Sequence, residues 1–117
     1  MKLIAGSFLL LASCAVANAQ SSTSPLNKLR QGNGLLEALR ECDTQKSLVE
    51  SYDCFSAYGY ISGVRDNDAN ILIPVEATYK QAFEIVETYL AKHPERRQLA
   101  SVILIRTAFK EVGWWKG

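Results

Sequence analysis

The sequence predicts an all-α fold, a small four-helix domain. Apolar residues recur at helical spacing in four separate segments, and no segment sustains strand alternation. Helix-start signatures stand at Ser47-Leu48-Val49-Glu50 and Thr78-Tyr79-Lys80-Gln81, each with the capping-box pattern, and Pro94 suits a first helical position. The chain has 117 residues, enough for one domain. With 48% hydrophobic residues it can fill a core.

The first helix follows Gly32 and Gly34 and carries Leu35, Leu36, Leu39 and Cys42 on one face. The second starts near Ser47 and places Leu48, Tyr52, Phe55, Tyr58 or Gly59, and Ser62 in a stripe. It ends near Val64, before the polar breaker Arg65 to Asn70. Gly59 and Gly63, four apart, read as a close helix-crossing point in the core. Ile71 to Val75 is expected to be extended, because Pro74 disfavours helix at Ile73. The third helix follows Thr78 with Tyr79, Ala82, Phe83, Val86, Tyr89 or Leu90, and His93 on one stripe. Pro94 breaks it and opens the fourth, which carries Leu99, Val102, Ile103, Arg106, Phe109 and Val112 at helical spacing, with Gly113 as the stop.

The first twenty residues have the layout of an export signal. Lys2 supplies a positive start, Leu3 to Leu11 an apolar run, and Ala17-Asn18-Ala19 a small-residue cleavage site. The run is shorter than the roughly 20 residues a bilayer requires, so no transmembrane segment is expected after cleavage. The expected organisation is a signal peptide over 1–19, a disordered segment over 20–31 and a helical domain over 32–117. A rival reading lipidates Cys14 after Leu11-Ala12-Ser13. Cleavage at Ala19 removes Lys2 and leaves a neutral mature chain, from 13 basic and 12 acidic residues overall. That balance disfavours phosphate-driven nucleic acid binding.

Two cysteines then remain, Cys42 and Cys54, and exported proteins pair such cysteines. Geometry leaves two possibilities. A helix starting at Ser47 carries Cys54 about 10 Å up its axis, so either segment 43–50 is no simple tight turn or the thiols stay free.

No set of residues reads as a catalytic centre, and no metal ligands or cofactor are expected. His93 is the one histidine; before Pro94 it reads as a helix-end residue favoured by the helix dipole. Glu84 and Glu87 read as a solvated helix face, and Asp66 and Asp68 as a turn. The Asp66-x-Asp68-x-Asn70 series echoes a calcium loop, but Ile71 and Ala77 stand where that loop needs Gly and Glu. Trp114 and Trp115 read either as a partner anchor or as a tail folded over the core.

The stretch from Cys54 to Arg97 carries a further pattern. Cys54 is followed by Gly59-Tyr60-Ile61-Ser62-Gly63, then Pro74, Thr78 and Gln81, then Tyr89-Leu90 and His93-Pro94-Glu95-Arg96-Arg97. In order and spacing this resembles the Rap/Tai family of periplasmic immunity proteins of type VI secretion systems. Many members carry a cysteine where Leu72 stands and end in Pro-Cys where this chain has Gly113-Trp114-Trp115. The joint loss of those two implies that they pair with each other, leaving Cys42 with Cys54. The resemblance implies no enzyme but a periplasmic protein that binds a peptidoglycan amidase effector and occludes its cleft, often as a homodimer. The partner surface is then expected on the Arg65–Asn70 loop: Arg65, Asp66, Asn67, Asp68 and Asn70. Gly59, Tyr60, Gly63, Pro74, His93 and Pro94 form the structural motif. The alternative is a small helical periplasmic chaperone or stress protein.

Overall fold

A computed structural model describes residues 25–44 and 48–116. The proposed signal, Cys14, residues 20–24 and the Ser47 capping hydroxyl lie outside these residues. Five α-helices are present among them: α1 Pro25–Leu29, α2 Gly32–Thr44, α3 Leu48–Asn67, α4 Tyr79–Lys92 and α5 Ser101–Glu111. A 3-10 turn, Pro94–Arg96, lies between α4 and α5. The fold is all-α, with four longer helices and a short N-terminal one.

The core forms where α2 lies along α3 and α4 lies along α5, with α2 also meeting α4. α2 contributes Leu35, Leu36, Ala38 and Leu39; α4 contributes Ala82, Val86, Tyr89 and Leu90. Phe109, Leu104 and Ile105 of α5 are wholly buried. Cys42 and Cys54 form a disulfide with their Cα atoms 4.9 Å apart, joining α2 to α3 side by side. This settles the geometric alternative in favour of the bond.

Several elements differ from the sequence reading. The proposed disorder ends earlier than residue 31, because Pro25–Leu29 is helical and Leu29 is buried. Lys28 ties this helix down, 3.1 Å from Glu37 of α2 and 3.6 Å from Asp53 of α3. α3 buries Cys54, Ala57 and Ile61, not the expected stripe, and leaves Tyr52 and Phe55 exposed. This is the side of α3 that lies along α2, joined to it by the Cys42–Cys54 bond. α3 also runs on to Asn67, three residues past Val64.

The fourth helix starts at Ser101 rather than at Pro94, and its buried stripe is Ser101, Leu104, Ile105, Ala108 and Phe109. Leu99, Ile103 and Val112 are exposed. The residues between the two helices serve as caps. Arg97 donates from Nε to the Leu90 carbonyl at 2.7 Å and from Nη2 to that of Ala91 at 3.1 Å, satisfying carbonyls that α4 leaves unpaired at its end. At the other end of α4, the Thr78 hydroxyl accepts from the Gln81 amide and the Gln81 side chain accepts from the Thr78 amide, as the capping box requires.

The same connection caps α2. The Gly32 amide donates to Leu99 O at 3.1 Å and the Asn33 amide to Arg97 O at 2.9 Å. In return, the Ser101 amide donates to Arg30 O at 2.7 Å, and its hydroxyl donates to Leu29 O. Gly32 and Gly34, inside α2 rather than before it, permit this approach. A Cβ on Gly32 would stand 2.5 Å from Leu104 Cδ1 and 2.9 Å from Arg97 O; one on Gly34 would overlap the Lys28 carbonyl. Gly59 and Gly63 are the reverse. A Cβ on either meets nothing within 4 Å, so they are not a core crossing point. They lie in an open trough beside Val102 and Arg106 of α5.

The chain end folds back over the core. The Leu72 amide donates to Trp114 O at 3.0 Å and the Lys116 amide to Asn70 O at 2.7 Å. Trp114 stacks on Phe109 at 5.8 Å between centroids, and Gly113 turns the chain with φ +83°. Of the two readings of the tryptophans, the folded tail is the one observed. Segment 71–74 is non-helical, with a single bridge from Ile71 to Trp115, but the expected extension stops short of Val75, which lies in a turn closed by the Ala77 amide on Pro74 O at 3.0 Å.

Two stability outcomes follow from this packing. Gly34→Ala is expected to destabilise the protein by about 2–3 kcal/mol through overpacking. Gly59→Ala and Gly63→Ala are each expected to stabilise it by about 0.5–1 kcal/mol, because alanine is the better helix former in open space. Urea denaturation of the three variants reads the opposite signs. Reducing the Cys42–Cys54 bond is expected to cost about 3 kcal/mol by the loop-entropy relation, read as a lower urea midpoint in dithiothreitol.

Candidate functional site

The Arg65–Asn70 segment is not a free recognition loop. Its residues are the last turn of α3 and the turn that follows. Asp68 is buried, its carboxylate 2.6 Å from Arg106 Nε and accepting the Asn70 amide at 3.0 Å. It anchors the turn to α5. Asn67 is exposed and donates from its side-chain amide to Gly63 O at 2.8 Å. Asn70 is exposed and holds the C-terminal tail through its carbonyl. Arg65 pairs with Asp66 at 2.8 Å and lays its guanidinium 4.6 Å above the Tyr79 ring. Arg65 is thus the member of the set that leads away from the turn, towards α4.

It leads to a row of aromatic rings. Tyr79 and Phe83 of α4 have centroids 6.3 Å apart, Phe83 stacks on Tyr58 of α3 at 4.1 Å, and Tyr58 meets Phe55 edge-on at 6.5 Å. The ends of the row are open: Phe55 is 65% and Tyr79 62% exposed. The row is continuous across two helices because positions 55 and 58 of α3 and 79 and 83 of α4 each repeat at one-turn spacing. The sequence showed these rings but assigned them inward. Cys54, Ala57 and Ile61, also at helical spacing on the side away from Tyr52 and Phe55, were the signal for the opposite phase.

Acidic groups border the row. Burial pushes the Glu87 carboxyl above the ordinary carboxylate range, with Asp43 and Glu84 adding to the shift and Arg40 opposing it. Burial also raises the Tyr58 hydroxyl, and Asp43, Glu87 and Glu84 add to it. Glu87 is therefore no fully solvated face, whereas Glu84 is exposed, 3.9 Å from Lys80.

A second concavity, about 660 Å³, opens between α4 and α5. Ile85, Ala108, Val112 and Trp114 give it an apolar lining, Tyr89 and His93 form one corner, and Glu76, Glu84, Glu111 and Lys92 carry its charges. His93 closes α4, with Nδ1 3.2 Å from Glu95 and Nε2 3.9 Å from Glu111. Pro94 begins the following 3-10 turn, and Pro74 lines the groove from the other side. Tyr60 is half-buried and lines the trough of Gly59 and Gly63.

Among the described residues no group of His, Cys, Asp and Glu is arranged to hold a metal ion, and no helix is long and apolar enough to cross a membrane. Comparison of the chain with family models, with curated proteins and with solved structures finds no match.

Glu87 gives a pH dependence with a definite sign. Its folded pKa lies above the unfolded one, so the folded state binds more protons between them and stability falls as pH rises through that window. Glu87→Gln is therefore expected to raise the melting temperature at pH 7. The advantage should vanish below the ordinary carboxylate range, where both forms are neutral. Thermal melts of both proteins from pH 3 to pH 8 measure it.

Proposed function

We propose that this chain is an exported binding protein that acts by docking onto a macromolecular partner. The observation that carries the reading is the open aromatic row, Phe55–Tyr58–Phe83–Tyr79, ending at Arg65. Tyrosine and arginine are enriched among the residues that dominate binding energy at protein interfaces. Here they sit on two helices, one of them clamped by a disulfide to its neighbour, so little ordering entropy is lost on association.

The resemblance to the Rap/Tai immunity proteins supplies the partner class: a peptidoglycan amidase delivered by type VI secretion, whose cleft the protein occludes. The site of action is then the periplasm. A disulfide is at home in that oxidising compartment, and residues 1–19 have the layout of its export signal. The same resemblance supplies the homodimer. The aromatic row meets the needs of such an inhibitor: a stiff apolar surface, with one cation at its end, that excludes water from a partner's cleft.

Mixing the purified protein with an amidase encoded beside it is expected to abolish hydrolysis of peptidoglycan at equimolar ratio. Phe55→Ala, Tyr79→Ala and Arg65→Ala are each expected to weaken the complex at least tenfold, about 1.4 kcal/mol, in calorimetric titration. The side chains of Phe55 and Tyr79 are exposed, so these variants should melt near the parent temperature. Full amidase activity in the presence of excess protein would overturn the reading. So would undiminished inhibition by the triple variant, which would remove the aromatic row from the interface.

A further inference from the structure

The Cys42–Cys54 bond sets two carboxylates against each other. Glu41 precedes Cys42 on α2, and Asp53 precedes Cys54 on α3. With the Cα atoms of the cysteines 4.9 Å apart, the two acidic side chains come within hydrogen-bonding reach. Both residues are half-buried. Glu41 Oε2 is shielded from water, and no donor among the described residues meets it. A buried acceptor without a donor is costly, and here its neighbour is a second acceptor.

The surrounding charges decide which carboxyl keeps a proton. Lys28 of α1 stands 3.6 Å from Asp53 and 3.1 Å from Glu37, so Asp53 has a cation beside it. Burial and the contact with Asp53 push the Glu41 carboxyl above the ordinary carboxylate range; Glu37 adds to the shift and Lys28 opposes it. Arg40 and Arg97 line the hollow beside Glu41. Arg97 is engaged at the end of α4, and Arg40 acts on Glu87. The α4 carboxylates, Glu84 and Glu87, gather with Asp43 at Tyr58 instead. A proton on Glu41 supplies the missing donor: the acid donates to the Asp53 carboxylate in a charge-assisted bond. Without it, two like charges held together by the disulfide repel across the α2–α3 contact.

We propose that the disulfide is gated by pH: a proton shared by Glu41 and Asp53 secures α2 against α3 beside the bond, and its loss as pH rises makes the bond easier for a dithiol to reduce. Cys54 is buried and Cys42 half-buried, so the attacking thiolate reaches Cys42. In the exchange the dithiol closes to its own disulfide, and its two electrons and two hydrogens pass to Cys42 and Cys54 as thiols. Reduction frees the two helices to part at this end, while the capped start of α2 stays in place. Glu41 then holds its proton less tightly in the reduced protein. The oxidised state binds more protons in the window between, so reduction is favoured as pH rises through it.

Titration of the carboxyl carbons in isotope-labelled protein reads the proton directly, with the disulfide intact and after reduction by a phosphine. Glu41 is expected to titrate above the ordinary carboxylate range in the oxidised protein and to shift down on reduction. Asp53→Asn should shift it down with the disulfide intact. Equilibration with dithiothreitol and its cyclic disulfide between pH 5 and pH 7.5, approached from both sides, reads the gate. The equilibrium constant for reduction should rise at least threefold over that range in the parent. In Glu41→Gln, whose side-chain amide donates to Asp53 at every pH, it should stay constant. A Glu41 carboxyl that titrates in the ordinary range, or equally in both redox states, would overturn the proposal. So would a pH-independent equilibrium in the parent, or one in Glu41→Gln that rises as steeply as the parent's. The carboxyl titration of the parent needs no variant, so a substitution that folds poorly leaves the proposal open to refutation.

Discussion

The ends of four helices meet around residues 97–101, and the remainder of the fold is arranged about that meeting. A helix leaves donors unpaired at its start and acceptors unpaired at its end. Here those needs cancel in pairs. The starting amides of α2 go to the carbonyls of Arg97 and Leu99, and the starting amide of α5 goes to the carbonyl after α1. The terminal carbonyls of α4 take the Arg97 guanidinium. Arg97 therefore serves two helices, with its side chain on α4 and its carbonyl on α2. The Ser101 hydroxyl bond to Leu29 O is buried, so removing the hydroxyl strands its acceptor at a cost of about 1–3 kcal/mol. The seam also joins residues far apart in the chain, since Ser101 reaches back to Leu29 across 72 positions.

The seam explains why the chain between Pro94 and Ser101 makes only a short 3-10 turn and no α-helix although nothing after Pro94 forbids one. A continuous helix would spend the Arg97 and Leu99 carbonyls on its own ladder and leave α2 uncapped. It also explains Gly32, where the carbonyl of Arg97 and the Leu104 methyl leave no space for a Cβ. With that end closed by hydrogen bonds, the disulfide holds α2 to α3 through Cys42, two residues before the end of α2. The two constraints fix opposite ends of α2, and the surfaces that α3 and α4 present are correspondingly stiff.

Much of this was legible in the sequence, and the failures have a common cause. The four longer helices, the Thr78–Gln81 cap and the non-helical segment after Ile71 follow from local signals, which need no knowledge of neighbours. The phases of α3 and α5 do not. On α3 the larger aromatic side chains drew the buried stripe towards Tyr52 and Phe55, yet the side that lies along α2 buries Cys54, Ala57 and Ile61. On α5 the assumed start at Pro94 carried the stripe onto Val102 and Ile103, whereas capping by a distant segment sets the start at Ser101. The local contacts of the Arg65–Asn70 segment were hidden for the same reason. Asp68 and Asn70 look like free polar loop residues until Arg106 and the C-terminal tail are brought beside them. Arg65 leads to the aromatic row through Tyr79, and the rings of that row come from two helices.

The stiffness of the two surfaces, and every binding role assigned to them, depends on the seam being part of the cooperative fold. Native-state hydrogen exchange of the Gly32, Asn33 and Ser101 amides tests this directly. The account predicts that all three exchange only by global unfolding, with protection equal to that of the core amides of Leu39 and Val86. Exchange at the rate of exposed loop amides, with α2 and α5 still protected, would show that the helices stand without the seam and would contradict it.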